Sequence, residues 1–218
     1  MRIAFSIAMM SFLTASASAL AIADPNQPLQ DRLDQANTPE ARQAIERFGT
    51  CTAKLQPGEA KRLLAMDFTS TGYRTGLRLL ATETERKCAY GSIGRGKMRS
   101  SNLLFSGAMA EALLEADSTP LNSRLARSAN ARVSSYSPTD TVAQCLARSL
   151  PDQVATLFAT APGSDAESVA AAPLTQAVPA CARTAGIAAE VEVTVPAMRA
   201  MIATAAYRLI ANSGGTNA

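Results

Sequence analysis

Apolar residues recur at helical spacing along most of the chain, and polar or proline residues mark the ends of each run. Thr38 is a good N-cap and Pro39 suits the first position of a helix. One face of this predicted helix carries apolar or small side chains: Ala41, Ala44, Ile45, Phe48, Thr52 and Leu55. A second helix is predicted to begin at Pro57, with Leu63, Leu64 and Phe68 as its apolar positions.

The rest of the first half predicts two more helical segments. Gly72 and Gly76 weaken the first of them, whose apolar marks are Leu77, Leu79 and Leu80. After a glycine-rich loop, a helix from about Arg99 to Ala116 carries a buried side formed by Leu104, Phe105, Ala108, Met109, Ala112 and Leu113. We therefore predict an all-α fold, in which alanine-rich faces allow close helix packing.

The second half repeats this order. Helices are predicted over Thr139–Leu150 and Pro151–Ala161, and a final helix carries an apolar stripe of Met198, Met201, Ile202, Ala205, Leu209 and Ile210. Between them, Pro173 and Pro179 are expected to break the helical segment into shorter pieces. The run Glu190-Val191-Glu192-Val193 alternates like a strand, but four residues without a partner are weak evidence for one.

Residues 28–116 and 120–212 resemble two diverged tandem copies of one helical unit of about 90 residues. The first copy begins with Pro28-Leu29-Gln30-Asp31-Arg32-Leu33 and the second with Pro120-Leu121-Asn122-Ser123-Arg124-Leu125. Further along, Cys51 matches Cys145. We predict a first repeat over 24–116, a second over 117–212 and a disordered tail at 213–218. Because only residues 117–119 separate the copies, we expect one bundle with pseudo-two-fold symmetry; two independent domains are the alternative.

The first 23 residues have the pattern of a signal peptide. Met1-Arg2 supplies a positive start, Ile3 to Leu13 is mostly apolar, and Ala21-Ile22-Ala23 places small residues at a cleavage site. Cleavage is expected after Ala23, with Ala19-Leu20-Ala21 as the alternative site. The apolar core is too short to cross a bilayer, and no later stretch is long and apolar enough to do so. The mature protein is therefore predicted to be periplasmic or secreted.

The four cysteines are predicted to form structural disulfides, which suit an exported protein. Cys51 and Cys88 have nearly the same spacing as Cys145 and Cys181, so pairing within each copy is favoured over pairing between copies. A metal site or a redox pair has less support, because no Cys-x-x-Cys occurs.

Composition excludes several classes of chemistry. The formal charge of +3 is too small for a nucleic-acid-binding surface. The chain has no histidine, so an imidazole base, a Ser-His or Cys-His pair and a histidine metal ligand are excluded. It also has no tryptophan, which argues against a sugar-stacking platform, and nothing in the sequence indicates a metal or another cofactor.

The segment Gly91-Ser92-Ile93-Gly94-Arg95-Gly96-Lys97 has the spacing of a phosphate-binding loop. Met98 follows where such a loop needs a magnesium-binding Ser or Thr, and no apolar strand precedes it, so nucleotide hydrolysis is not expected. The segment is instead an anion-binding candidate through its cationic side chains, Arg86, Lys87, Arg95, Lys97 and Arg99. An ordinary solvated connection is the alternative interpretation.

Candidates for catalysis are weak. Thr84 and Lys87 have a Ser/Thr-x-x-Lys spacing but lie in a charged segment, and Arg74 and Arg78 are expected to face solvent. Glu111 lies within an apolar helix and could act as a single general acid. The more common arrangement for such a residue is a glutamate at the core boundary that pairs with an arginine.

These observations leave three functional hypotheses. The first is an exported, non-enzymatic helical interaction protein of the cell envelope, with another envelope protein as partner. The second is a binder of anionic lipid head groups or acidic polymers through residues 86–99. The third is an enzyme that acts on the cell wall or a lipid through a single carboxylate.

Overall fold

The computed structural model describes residues 38–89, 101–188 and 191–213. Regular structure in these ranges is entirely helical, which confirms the all-α prediction. The helices are α1 (Pro39–Leu55), α2 (Pro57–Leu64), α3 (Thr71–Cys88), α4 (Asn102–Glu115), α5 (Leu121–Arg127), α6 (Pro138–Ser149), α7 (Pro151–Phe158), α8 (Asp165–Thr184) and α9 (Val195–Ser213). None of them is long and apolar enough to cross a membrane.

Hydroxyl side chains cap most of the longer helices. Thr38, Ser70, Ser101, Ser137 and Ser164 each accept a hydrogen bond from a backbone N–H in the first turn of the helix that follows. These bonds satisfy N–H groups that have no partner within the helix. The sequence-derived boundaries of α1 and α6 and the starts of α2 and α7 agree with the structure to within one residue. Helix α2 ends at Leu64, so the prediction that it also carries Phe68 is wrong.

Two sharp bends join α1 to α2 and α6 to α7. Gln56 has φ −130° and ψ 59°, and Leu150 has φ −132° and ψ 52°, so the chain turns in the same way at both places. A proline follows each bend and begins the next helix, where its missing N–H costs nothing.

The prediction that Pro173 and Pro179 break their segment is wrong, because α8 runs continuously through both. Each proline removes one hydrogen bond to the carbonyl four residues earlier, at Val169 and Thr175. All four residues are exposed, so both prolines lie on the outer face of α8 while its opposite side packs on the core. The strand-like alternation also fails, since Val191–Val193 form no strand and Glu190 lies outside the described residues.

Helices α4 and α9 form the centre of the core and cross each other closely. A Cβ atom on Gly107 of α4 would lie 2.5 Å from the Cβ atom of Ala200 in α9. Helix α1 packs on α4 with a similar approach, since a Cβ atom on Gly49 would lie 2.4 Å from that of Ala108. The predicted close packing through small residues is thus present, and α6 covers α9 on the other side.

Two disulfides fix the outer helices. Cys51 in α1 is bonded to Cys88 at the end of α3, and Cys145 in α6 is bonded to Cys181 in α8. The sequence separations are 37 and 36 residues, so the predicted pairing within each half is confirmed. Disulfides are typical of an oxidising, extracellular compartment.

Candidate functional site

A cavity of about 270 Å³ lies between the α2–α3 connection, α4, α6 and α9. Leu64 and Tyr73 form part of its buried wall, together with the half-buried Met66, Phe68 and Met201. Arg74, Asn102 and Thr139 are exposed and mark its mouth. The lining is therefore mainly apolar inside and polar at the entrance, as in many small-molecule sites.

One wall of the cavity contains a buried ion pair. The guanidinium of Arg208 donates to the Asp140 carboxylate and to the Ser134 carbonyl. Asp140 also accepts a 3.0 Å hydrogen bond from the backbone N–H of Tyr136. The Arg208 guanidinium lies 5.2 Å from the centre of the Tyr136 ring and 5.9 Å from that of Phe68. These contacts neutralise both charges and hold Arg208 in place.

Hydroxyl groups supply the remaining polar atoms of the inner wall. Tyr73 and Ser106 are buried, and Thr204 is half-buried. Burial raises the pKa of the Tyr73 phenol, although a hydrogen bond with Ser106 and the charge of Arg208 act in the opposite direction. The phenol therefore stays neutral at physiological pH, and the inner wall carries hydroxyl groups without net charge.

A second cleft lies between α1, α4 and α9, but it is almost filled and has a volume of only about 30 Å³. The side chain of Arg199 forms part of its lining. Both terminal carboxylate oxygens of Glu111 accept hydrogen bonds from Arg199, which also donates to Glu167 and to the Leu157 carbonyl. Arg42 completes the network with a 2.6 Å ion pair to Glu167. We call this arrangement the Arg199 cleft.

Glu46 is the carboxyl group at the edge of the Arg199 cleft. Its pKa is raised to about 8 by burial, first of all, and by the nearby charges of Glu111 and Glu115; Arg199 acts in the opposite direction. Within the described part of the chain, it accepts a hydrogen bond of 3.5 Å from the Thr50 hydroxyl. Glu46 is consequently protonated at neutral pH.

The structure places Glu111 in the core rather than at an open site. Its exposed fraction is 2%, and Arg199 binds both of its oxygens. Burial raises the pKa of Glu111, while the hydrogen bonds from Arg199 oppose this rise. The carboxyl group is thus held by an arginine. This is the arrangement that the sequence analysis gave as more common than catalysis for such a glutamate.

Only part of the basic anion-binding candidate falls within the described residues. Arg86 and Lys87 lie exposed in the last turn of α3, whereas Arg95, Lys97 and Arg99 lie outside the described ranges, as does the segment 91–97. Anion binding here stays a prediction. Thr84 is buried and shares a hydrogen bond with Thr52, so it faces the core and not Lys87.

The residues of the cavity were not proposed as a site from the sequence. The sequence does contain a signal for the two buried arginines of the cavity and the Arg199 cleft. Arg199 and Arg208 interrupt the apolar stripe of the final helix. A charged residue within an apolar stripe needs a buried partner, and this need indicates a polar group on a facing helix. The partner itself comes from a distant part of the chain, and the sequence does not identify it.

Comparison of the chain with protein-family models, with curated proteins and with solved structures finds no match. A functional assignment for this protein therefore depends on the chemistry of its cavity and clefts.

Proposed function

We propose that this protein is an exported, non-enzymatic helical binding protein that holds a small ligand in the cavity between α2, α4, α6 and α9. The observation that carries this proposal is a mainly apolar cavity whose buried charges, Arg208 and Asp140, already neutralise each other. Its volume of about 270 Å³ is just below the ~300–1,000 Å³ typical of ligand pockets, so the ligand is small.

A binding role is favoured over catalysis by the state of the carboxylates. Asp140, the acidic residue that lines the cavity, accepts hydrogen bonds from Arg208, Tyr136 and Gln144, so both of its carboxylate oxygens already have partners. Glu111 is held by Arg199 in the other cleft. The absence of histidine removes the usual general base.

Export is supported by two separate features. The first 23 residues have the signal-peptide pattern, and two disulfides join the described helices. Disulfides form and persist in oxidising compartments. We accordingly place the mature protein in the periplasm or outside the cell.

We also propose that the fold arose by duplication of one unit of four main helices. Helices α1 to α4 correspond in order to α6 to α9, with matching caps at Ser70 and Ser164 and matching bends at Gln56 and Leu150. The contacts correspond as well. Helix α1 packs on α3 and α4, as α6 packs on α8 and α9, and α4 packs on α9 at the centre. This pattern is what pseudo-two-fold symmetry produces.

The proposed binding function can be tested with small neutral fragments and the mature, disulfide-bonded protein. Two-dimensional NMR would report the backbone amides that respond, and we expect these to lie in α4, α6 and α9. Met201→Trp should abolish the response, because Met201 lines the cavity and a larger side chain there fills it. Ser168→Trp is the matched control on the exposed face of α8, which does not line the cavity.

If the fragments bind with equal affinity to wild type and Met201→Trp, the cavity is not the binding site. If no fragment shifts any amide of the cavity helices, the binding function is wrong.

A further inference from the structure

The cavity and the Arg199 cleft lie at matching places in the two halves of the protein. Glu46 lines the cleft, and Asp140, which follows it by 94 residues, lines the cavity. The same separation relates Phe68 of the cavity to Pro162 of the cleft. Both pairs come from corresponding helices or connections, so the two spaces are the same site in the two copies of the proposed duplication.

The crossing of α4 and α9 fixes the correspondence of these two helices. Residues next to a two-fold axis meet their own counterparts across it. Gly107 approaches Ala200 most closely, and these residues are 93 positions apart. The same separation relates Cys88 to Cys181, which form the second half of each disulfide. Two independent features therefore give the same match of α4 to α9.

This match shows what has changed between the two spaces. Three charged side chains of the cleft correspond to three hydroxyl side chains of the cavity, in the pairs Arg199 and Ser106, Glu111 and Thr204, and Glu167 and Tyr73. In the cleft, the arginine side chain fills the space and its charge is balanced by the two carboxylates. In the cavity, serine leaves this space open, and the two carboxylates are absent.

Building on the proposed binding function, we infer that the cavity takes an uncharged, mainly apolar ligand, of about the size of an arginine side chain, with one hydrogen-bonding group. The ligand occupies the volume that Arg199 fills in the cleft. Tyr73, Ser106 and Thr204 offer hydroxyl groups to its polar atom. Inside the cavity, Arg208 and Asp140 already satisfy each other, and the third charged side chain of the lining, Arg74, is exposed at the mouth. A charged group buried among the hydroxyl groups would therefore have no partner, which is costly.

Three probes that share a 4-methylphenyl group and differ in charge test this inference: neutral 4-methylphenol, anionic 4-methylbenzoate and cationic 4-methylbenzamidinium. Neutral 4-methylbenzamide, which has the shape of the charged probes, is the control for size. Each is titrated into the mature protein, and the affinity is measured from backbone amide shifts in α4 and α9. We expect 4-methylphenol to bind at least about tenfold more tightly than either charged probe, because the described residues place no free counter-charge inside the cavity, and Arg74 is exposed at its mouth.

The outcomes separate this inference from the binding function itself. If a charged probe binds as tightly as 4-methylphenol or more tightly, the ligand class is wrong while the cavity remains a binding site. If none of the three probes binds, the inference fails together with the binding function.

Exchange of residues between the two spaces provides a second test. The double variant Ser106→Arg/Thr204→Glu places the cleft pair in the cavity, and it should abolish 4-methylphenol binding while the protein stays folded. The variant Ser106→Arg/Thr204→Gln is its control, since it has the same volume without the new ion pair and should be less stable. Undiminished 4-methylphenol binding to the first variant would contradict the correspondence.

The reverse exchange covers the case in which an arginine at position 106 prevents folding. Arg199→Ser/Glu111→Thr removes a charged pair together and opens the cleft in the same way that the cavity is open. This variant should bind two equivalents of 4-methylphenol in place of one, measured by calorimetric titration. A folded variant that still binds one equivalent would show that the two spaces do not correspond.

Discussion

At the scale of single side chains, the buried arginine residues of this core depend on partners of opposite charge. Arg199 has an exposed fraction of 5% and balances the carboxylates of Glu111 and Glu167. Its replacement in Arg199→Met leaves both acids in the core, where Arg42 still reaches only Glu167. We expect this variant to lose about 3–5 kcal/mol of unfolding free energy, measured by urea denaturation.

The double variant Glu111→Leu/Arg199→Met is the control for that loss. Because it removes a charge of each sign, it should be more stable than Arg199→Met alone. An equal or larger loss in the double variant would mean that Arg199 acts through packing and not through its charge.

Glu46 makes the stability of the folded protein dependent on pH. Its pKa is about 8 in the folded protein and 4.5 as its ordinary value, so unfolding releases a proton between these two limits. A raised carboxyl pKa therefore means that stability falls as pH rises from about 4.5 through 8. The groups that set this pKa are Glu111, Glu115, Arg199 and Thr50.

The variant Glu46→Gln keeps the shape of the protonated carboxyl group and cannot ionise. It should match the wild type near pH 4.5 and be more stable above pH 8, by more than about 1.4 kcal/mol, the equivalent of a tenfold change. Denaturation curves at both pH values measure the difference, with the exposed Glu192→Gln as control. A constant difference between the two variants at both pH values would refute the role of Glu46.

Gly107 is required by the close approach of α4 to α9. A Cβ atom there would lie 2.6 Å from the Ala200 Cα atom, which belongs to the backbone and cannot move aside alone. Gly107→Ala should therefore cost about 1–3 kcal/mol or more through overpacking, although alanine favours helix formation. The control is Gly58→Ala in α2, where a Cβ atom meets nothing within 4 Å and a gain of up to about 1 kcal/mol is expected.

At the scale of helices, the sequence predicts the elements much better than it predicts the site. Spacing and caps located α1, α2 and α6 because a helix depends mainly on residues three and four apart. The same local rules failed for α8, where tertiary packing and Cys181 hold a helix that contains two exposed prolines. The near-equal cysteine spacing favoured the disulfide pairing that the structure shows, as expected if the proposed duplication copied each loop as a unit.

The cavity could not be predicted from local patterns, because it depends on small side chains that come from different helices and meet where these helices cross. Ser106 and Thr204 belong to different helices, and the inferred match with Arg199 and Glu111 of the Arg199 cleft depends on the three-dimensional structure. Sequence pointed to Glu111 as a candidate acid, whereas the structure makes it the partner of an arginine. Which carboxylate meets which arginine is a property of the fold.

The disulfides stabilise pairs of helices and can be tested separately. Each closes a loop, of 37 residues between Cys51 and Cys88 and of 36 between Cys145 and Cys181. Since the loops are nearly equal, Cys51→Ala/Cys88→Ala and Cys145→Ala/Cys181→Ala should each cost about 3–4 kcal/mol in the chain-entropy estimate. Chemical denaturation of the two variants measures both losses. A negligible loss in one variant would show that the remaining contacts alone hold that pair of helices.

The whole molecule should unfold as one cooperative unit and not as two independent domains. Helices α4 and α9 belong to different halves, yet they pack on each other at the centre and bury Met109 and Ile202 completely. The ion pairs from Arg199 to Glu111 and from Arg42 to Glu167 also join the two halves. If one half unfolded, the other would expose the apolar side of its central helix and lose these partners.

Calorimetry distinguishes the two possibilities. We expect one transition whose calorimetric and van't Hoff enthalpies agree, with a value of roughly 0.7 kcal/mol per folded residue near 60 °C. Gly107→Ala should lower the temperature of this single transition, because it strains the crossing that couples the halves. Two transitions in the wild type, each abolished by loss of one disulfide, would instead identify two domains in contact. In that case the cavity, which needs residues from α2, α4, α6 and α9, would open at the lower of the two transitions.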